Sequence, residues 1–424
     1  MGLSILIFVF LICLVSRVPI AFSLGFSCLA YLLFAGTPLI VIPMKMYSGL
    51  DIFVLLSVPG FILAGNLMNS GGLTDKIIQF CNSLFGHIRG GLSLANIGAS
   101  MLFAGISGTA VSDTASIGSI MIPAMKKEGY DPDFACAVTA ASSTVGPIIP
   151  PSVPIIIAAT LCGLSVGKLF LAGAIPGLLL GVGMMCVAYY ISVKRSYPKH
   201  ARKSLKEIGK SFLDTFWALL MTFIILFGII GGVFTPTEAS VIAVIYALII
   251  GLFVYRKLSF RRIQVITLNS MKTSTSLMIL IGFANLFGWI LIVEHFPQWI
   301  SSEILGFSTN PYIVLLLINL VLIFVGTFME TIAALLILFP ILLQVAISVG
   351  VDPIHFGVIA VLNLIIGLTT PPVGVCLFVA ASIGKIPMER ISKEMIPFYL
   401  VSLVVLTLVT IFPSLSTFLP ELFM

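Results

Sequence analysis

Charge is what this sequence most lacks. Only 9% of its 424 residues are Asp, Glu, Lys or Arg, and 59% are hydrophobic. Typical soluble domains carry about 25% charged residues. A soluble core stops growing at roughly 250–300 residues, and longer chains divide into domains with charged surfaces. The deficit excludes a soluble enzyme, a nucleic-acid binder and a disordered scaffold. Other absences narrow the class further. The seven cysteines form no CxxC pair and mostly sit in apolar segments, so they read as small buried residues and not as a disulfide framework. His87, His200, His295 and His355 share no metal spacing, and no transition-metal site is expected. There is no P-loop, so ATP does not drive this chain directly. No nucleophile elbow, zinc motif, Asp-rich motif or midmembrane Arg cluster marks a membrane-embedded enzyme.

Long apolar runs are abundant. A helix needs about 20 apolar residues to cross a bilayer. Windows of that size or slightly shorter fall at 2–16, 19–42, 52–70, 173–193, 212–234, 237–255, 264–293 and 396–419. The first has no basic n-region and no small-x-small cleavage site, so it reads as a span and not a removable signal. Regions 91–162 and 311–383 are apolar too, but Gly, Pro, Ser and Thr interrupt them repeatedly. Trp217, Trp289 and Trp299 fall near span ends, where aromatic residues anchor helices at the interface.

The formal charge of +6 does not imply nucleic acid, because the basic residues lie in the connections. Lys and Arg accumulate in cytoplasmic loops. The clusters at 194–210, 256–262 and 385–393, with Arg17, Lys76, Arg89, Lys126 and Lys127, place 19 of the 22 basic residues on one side. Lys45 and Lys168 fall outside, Lys272 falls within a span, and both termini lie outside. This scheme holds only if 91–125 and 312–347 each enter and leave on one side. They would be re-entrant hairpins opening to opposite faces. Segment 72–88 would lie along the cytoplasmic face as an amphipathic helix.

The two irregular regions are copies of one another. Residues 129–176 align without gaps on 350–397, at an offset of 221, with ten of 48 positions identical. The matches are mostly backbone-controlling residues: Gly129, Asp131 and Pro132 with Gly350, Asp352 and Pro353; Gly146 with Gly367; Pro150-Pro151 with Pro371-Pro372. Gly105 and Gly326 keep the same offset. Inverted repeats with broken helices mark transporter binding sites. In hydrocarbon every backbone N–H and C=O needs a partner. The prolines in Val145–Pro151 remove donors and prevent a continuous helix, freeing carbonyls in the middle of the membrane.

The first hairpin tip spans Gly105 to Asp113. Its small residues allow close packing or a tight turn whose N–H groups favour an anion and whose carbonyls favour a cation. Asp113, an ionisable residue in a membrane segment, is a functional candidate, although a carboxylate that only caps a helix is the alternative. Glu330, in the second tip Gly326–Thr331, has the same two readings. The hydroxyls of Ser142, Ser143, Thr144, Thr369 and Thr370 and the amide of Asn363 lie near the breaks. They suit Na+ better than a proton, but such hydroxyls often bond only their own i−4 carbonyl.

The runs GISGTAVSDTASIG and MKKEGYDPDFACAVTAASSTVGPIIPPSVP closely resemble the large membrane subunit of tripartite ATP-independent periplasmic (TRAP) transporters, as do GTFMETIAALLILFPI, GVDPIHFGVIAVLNLIIGLTTPPVGVCLFVA and the GVFTPTEAS turn. The resemblance covers nearly the whole chain. It implies an all-α polytopic membrane protein of the elevator-type ion transporter superfamily, with inverted repeats, two re-entrant helical hairpins and two discontinuous helices. The scaffold is expected at 1–70 and 163–257, with the basic loop 194–210. An amphipathic helix is expected at 71–90, the transport domain at 91–162 and 311–383, an arm and span at 258–310, and a final span at 384–424. The function implied is Na+-coupled import of an organic acid, of the sialic acid or C4-dicarboxylate class, across a bacterial inner membrane. Implied partners are a periplasmic substrate-binding protein, a separate small four-helix membrane subunit and membrane lipid. Na+ is expected at Gly105, Ser107, Gly146 and Pro150, and at Gly326, Thr327, Gly367, Thr370 and Pro371. Substrate is expected near Ser107, Thr109, Asp113, Ser143, Pro151 and Thr369, with Gly108, Glu330 and Pro372 as gating or structural positions. Neither tips nor breaks hold an Arg or Lys, so helix N-termini, backbone N–H groups and bound Na+ must attract the acid. A stand-alone carrier of the same architecture is the nearest alternative.

Overall fold

The computed structural model describes residues 2–16, 18–161 and 163–424, excluding the side chains of 105–107, 301, 305 and 307. Arg17, placed inside by the charge pattern, and Cys162 therefore lie outside the described residues. The chain is helical, and no strand occurs among the described residues. In the first part, α1 (Gly2–Val15), α2 (Ile20–Ala35) and α3 (Val41–Leu50) precede a 3-10 turn, Phe53–Leu56, that leads into α4 (Ser57–Ser70). Next come α5 (Leu73–Phe85), α6 (Gly91–Ser107), α7 (Ala110–Lys127), α8 (Pro132–Ser143), α9 (Val153–Leu161) and α10 (Val166–Lys194). The middle of the chain holds α11 (Leu205–Ile230), α12 (Pro236–Ile249), α13 (Phe260–Val293) and α14 (Phe296–Phe307). The last part holds α15 (Pro311–Gly326), α16 (Thr331–Ser348), α17 (Pro353–Gly367), α18 (Val375–Gly384), α19 (Met388–Glu394), α20 (Ile396–Ile411) and α21 (Ser414–Phe423).

Local sequence sets most of these boundaries. Capping boxes start α11 at Ser204/Glu207 and α12 at Thr235/Glu238. Proline occupies the first turn of α8, α12, α15, α17 and α20, where its missing N–H costs nothing. Two apolar windows are not continuous spans. Window 19–42 ends its helix at Gly36, which takes a left-handed φ of 65°, before Pro38 and α3. Window 396–419 breaks at Phe412-Pro413. Hydropathy is blind to both interruptions, because the breaking residues sit among apolar ones.

The charged loops gather at one end of the molecule. Arg195 bonds Asp131 at 2.9 Å and Glu394 at 2.8 Å, and Arg390 bonds Asp133 at 2.8 Å. Lys126 Nζ donates to Gly384 O at 3.0 Å. His200 N donates to Gly86 O and Gly90 N to Pro198 O, tying the end of α5 to the same loops. At the start of α5, Asp75 meets Lys257 at 2.8 Å and Lys76 meets Asp214 at 3.0 Å. Helix α5 thus crosses this basic face, with Leu73, Ile77 and Cys81 buried beneath it.

The termini lie at the opposite end. Helix α10 ends beside Arg195 and begins with Gly167 against Met424. Helix α13 starts beside the Lys257 cluster and ends at Glu294, which accepts from Tyr31 at 2.6 Å and lies against Gly2. At 1.5 Å per residue, their 29 and 34 residues extend roughly 43 and 51 Å, enough to cross a bilayer core.

The offset of 221 extends to helix boundaries. Helix α7 (110–127) maps residue for residue onto α16 (331–348), and α8 starts at 132 where α17 starts at 353. Gly129 and Gly350, which precede these starts, both take left-handed φ, 87° and 82°. The outer ends of α6 and α7 meet the basic face through Gly90 and Lys126. Helix α17 starts at the far face, where His355 Nδ1 bonds Ser416 Oγ at 2.6 Å. Helix α15 runs alongside α17 in the same direction, as the Asn319–Asn363 and Gly326–Gly367 contacts show. Its outer end therefore also lies at the far face. The distal half of each broken helix crosses to the other repeat: α9 packs on α16, and α18 packs on α7.

Cysteines at positions 204 and 237, each introduced into a background with the native cysteines replaced, should react with a membrane-impermeant thiol reagent from opposite sides of sealed vesicles. Labelling of both from the same side would contradict this arrangement.

Candidate functional site

The first tip is built by glycine. Helix α6 ends at Ser107, and Gly108 turns the chain with φ of 64°. A Cβ there would stand 3.2 Å from the Val153 side chain and 3.3 Å from its backbone nitrogen. The tip therefore rests on the start of α9. Thr109 is the extended N-cap of α7, and Asp113 lies in that helix's first turn, buried. A Cβ on Gly146 would fall 2.1 Å from Asp113 Oδ2. Only glycine lets the carboxylate lie against the first break.

That break runs from Thr144 to Ser152. Turn-type bonds carry the backbone through Thr144, Val145 and Ile148. The Pro150-Pro151 peptide bond is cis. Ser152 Oγ donates to Pro147 O and accepts from Ile155 N at 3.3 Å. Among the described residues, the carbonyls of Gly146, Ile149 and Pro150 receive no hydrogen bond.

The second tip and break touch backbone to backbone. A Cβ on Gly367 would meet Gly326 C at 2.5 Å and Gly326 Cα at 2.6 Å. Thr327 Oγ1 donates to Phe324 O at 2.8 Å. Glu330 caps α16, accepting from Ile332 N at 2.8 Å and Ala333 N at 3.3 Å. At the break, Thr369 and Thr370 hydroxyls both donate to Ile366 O, and the Pro371-Pro372 bond is cis. Tyr399 OH donates to Thr369 O. The carbonyls of Thr370 and Pro371 receive no hydrogen bond among the described residues. Pro371, Pro372 and Val373 are exposed, whereas most of the first break is buried.

The two halves converge. Cys376, at the start of α18, lies beside Thr114 of α7, on which α18 packs. Helices α7, α9, α16 and α18 all begin at this centre, and α6, α8, α15 and α17 all end there. Four N-termini supply partial positive charge and N–H groups, which favour an anion. Four C-termini supply carbonyls. Hard cations take oxygen ligands, so the unbonded carbonyls fit an alkali cation.

Gly146 thus sits against Asp113, Gly108 near Pro151, and Gly326 against Gly367; the other expected residues adjoin these in sequence. The Ser107 side chain lies outside the described residues, and Gly105 has none to place. Ser143 and Thr369 are buried, and their hydroxyls donate to Thr139 O and Ile366 O. The two acids are not equivalent. Glu330 occupies the offset of Thr109, and both residues are N-caps. Asp113 has Ala334 at its offset. Ser152 and Tyr399 were not singled out by sequence. Ser152, placed before an apolar helix, carries an N-cap signal; Tyr399 carries none. Ser142 and Asn363, expected near the breaks, join polar chains whose other members carry no such signal: Asn96–Thr139 at 2.7 Å and Ser100–Ser142 at 2.8 Å, and Asn363–Asn319 at 2.8 Å with Asn319–Thr410 at 3.1 Å.

The long apolar helices make this a multi-pass membrane protein, and its relatives place it among transporter permeases. The family described as the DctM component of the tripartite ATP-independent periplasmic transporter matches residues 7–415. This chain belongs to that family. It is 43% identical to the sialic acid TRAP transporter large permease protein SiaM of Vibrio cholerae, covering 97% of this chain and 96% of that protein. It is 40% identical to the C4-dicarboxylate TRAP transporter large permease protein DctM of Pseudomonas aeruginosa, covering 94% of each. The fold is similar to that of the Alcanivorax borkumensis YdaH transporter, with a TM-score of 0.58, 14% identity and 87% and 86% coverage.

Overpacking a close contact costs about 1–3 kcal/mol. Gly367→Ala should lower thermal stability by that amount in detergent, while Gly209→Ala, in open space on exposed α11, should be neutral or slightly stabilising. Equal melting temperatures for the two variants would contradict the backbone contact at Gly326.

Proposed function

We propose that this chain is the large permease subunit of a Na+-coupled TRAP transporter that imports an organic acid of the sialic acid or C4-dicarboxylate class. Family membership supports the transport class, and the names of the similar permeases support the substrate class. The observation that carries the coupling is the pairing of unbonded carbonyls with converging helix N-termini. Na+ binds to the carbonyls and hydroxyls of the first tip and break, around Gly105, Ser107, Gly146 and Pro150. A second Na+ binds around Gly326, Thr327, Gly367, Thr370 and Pro371. The acid lies between them, near Ser107, Thr109, Asp113, Ser143, Pro151 and Thr369. Neither tips nor breaks hold Lys or Arg, so the bound cations supply the charge that the helix dipoles only partly provide.

The two hairpins, α6–α7 and α15–α16, are re-entrant and open to opposite faces. The basic face is cytoplasmic, both termini are periplasmic, and the membrane is the bacterial inner membrane. A periplasmic binding protein delivers the acid, and a small four-helix membrane subunit completes the scaffold. Transport proceeds by an elevator motion of the body formed by 91–162 and 311–383. Helix α10 packs on α6, α8, α9, α17, α20 and α21.

The test is uptake of sialic acid and of succinate into proteoliposomes holding the chain with its membrane partner and binding protein. Uptake should require an inward Na+ gradient and the binding protein. Asp113→Ala should slow it tenfold or more, a barrier increase of roughly 1.4 kcal/mol. Pro371→Ala should raise the Na+ concentration needed for half-maximal rate. Full uptake of free acid without the binding protein, or near-normal uptake by Asp113→Ala, would sink this reading.

A further inference from the structure

Lys45, like Lys168 and Lys272, departs from the charge pattern that places the other 19 basic residues on one side. It lies in the half of the molecule that carries the termini, on α3. Asn285 Nδ2 donates to Lys45 O at 2.7 Å, and the Lys45 ammonium sits over the Trp289 ring, 5.1 Å from its centroid. Trp289 is five residues from Glu294 at the far end of α13, about 7.5 Å along the helix. Lys45 forms no salt bridge among the described residues; the nearby acids Asp51 and Glu294 are not paired with it. A cation held by an aromatic face keeps its outward N–H donors for an anion.

The ammonium borders a cavity of about 320 Å³. Ser48, Thr160 and Asn285 add polar groups to its wall, and Leu336 an apolar one. The cavity lies between α3 and α13 on one side and α9 and α16 on the other. Both α9 and α16 begin at the central site, so the cavity sits directly outward of it. From Thr160 back to Val153 at the break is about 10 Å of helix, and from Leu336 back to Thr331 about 7.5 Å. In a chain this poor in charge, one unpaired cation in a narrow cleft focuses potential on anions entering it.

We propose that Lys45 forms an outer docking site for the carboxylate of the transported acid, distinct from the tips and breaks. The acid pairs with the ammonium over Trp289 and then passes along α9 and α16 to the centre. This inference rests on the organic-acid reading above. A carboxylate side chain of a docked protein would offer the same group, but the cavity is recessed and of small-molecule size.

The test uses the full chain with Trp217 and Trp299 replaced by Phe, which leaves Trp289 as the sole tryptophan. Sialic acid and succinate are titrated at constant ionic strength, with NaCl as the control. At least one acid should change Trp289 emission saturably. Lys45→Gln should weaken that binding about fivefold, the size of one partly solvated charge contact, and Lys45→Arg should restore it. In proteoliposome uptake, Lys45→Gln should raise KM by a similar factor and leave the maximal rate unchanged. No emission change with either acid, or the same isotherm in Lys45→Gln, would overturn the site. So would a lower maximal rate at unchanged KM. Intact Trp289 isotherms with no uptake by any variant would instead count against the transport reading alone.

Discussion

Everything in this structure depends on the cost of an unbonded backbone carbonyl inside a membrane. Each one left without a partner in hydrocarbon costs several kcal/mol. The chain meets that rule along its long helices; at Gly146, Ile149 and Pro150, and again at Thr370 and Pro371, the carbonyls receive no hydrogen bond among the described residues. Those breaks persist because the surrounding protein holds them open. Ser152 ties the first break to Pro147, and Tyr399 ties the second to Thr369. The remaining carbonyls are the oxygens of the proposed Na+ sites, and the helix starts are those proposed to receive the acid.

Close approach is the second half of the design. Gly326 and Gly367 bring two backbones into contact, and Gly146 brings the Asp113 carboxylate against its break. The two repeats solve the same problem differently: one packs backbone on backbone, the other packs a carboxylate on backbone. The burial differs as well, since Pro371, Pro372 and Val373 are exposed and the first break is not. The repeat is therefore symmetric in backbone path and asymmetric in chemistry.

Much of this was legible in the sequence, for physical reasons. Gly, Pro and Asp control the backbone, so the offset of 221 read from them also relates the start of α7 to that of α16 and the start of α8 to that of α17. Scarce charges sort by face, so the clusters that meet around Arg195 and Lys257 were readable from position alone. Other features were not. The breaks after Ala35 and at Phe412-Pro413 sit inside apolar windows and leave hydropathy unchanged. Roles that depend on three-dimensional neighbours were also hidden: Tyr399 is one aromatic among many, and the polar chains behind the breaks are spread over five helices. Glu330 and Asp113 look alike in sequence, yet one caps a helix and the other meets the break.

The central claim is that the two breaks are Na+ sites in their own right, formed by this chain. Equilibrium binding of radioactive Na+ to the purified chain, without substrate or partner, tests it most directly. The account predicts saturable binding that excess K+ does not displace and that Gly146→Ala, which drives a methyl group into the Asp113 carboxylate, abolishes or strongly weakens. Binding that never saturates, or that is unaltered in that variant, would contradict it.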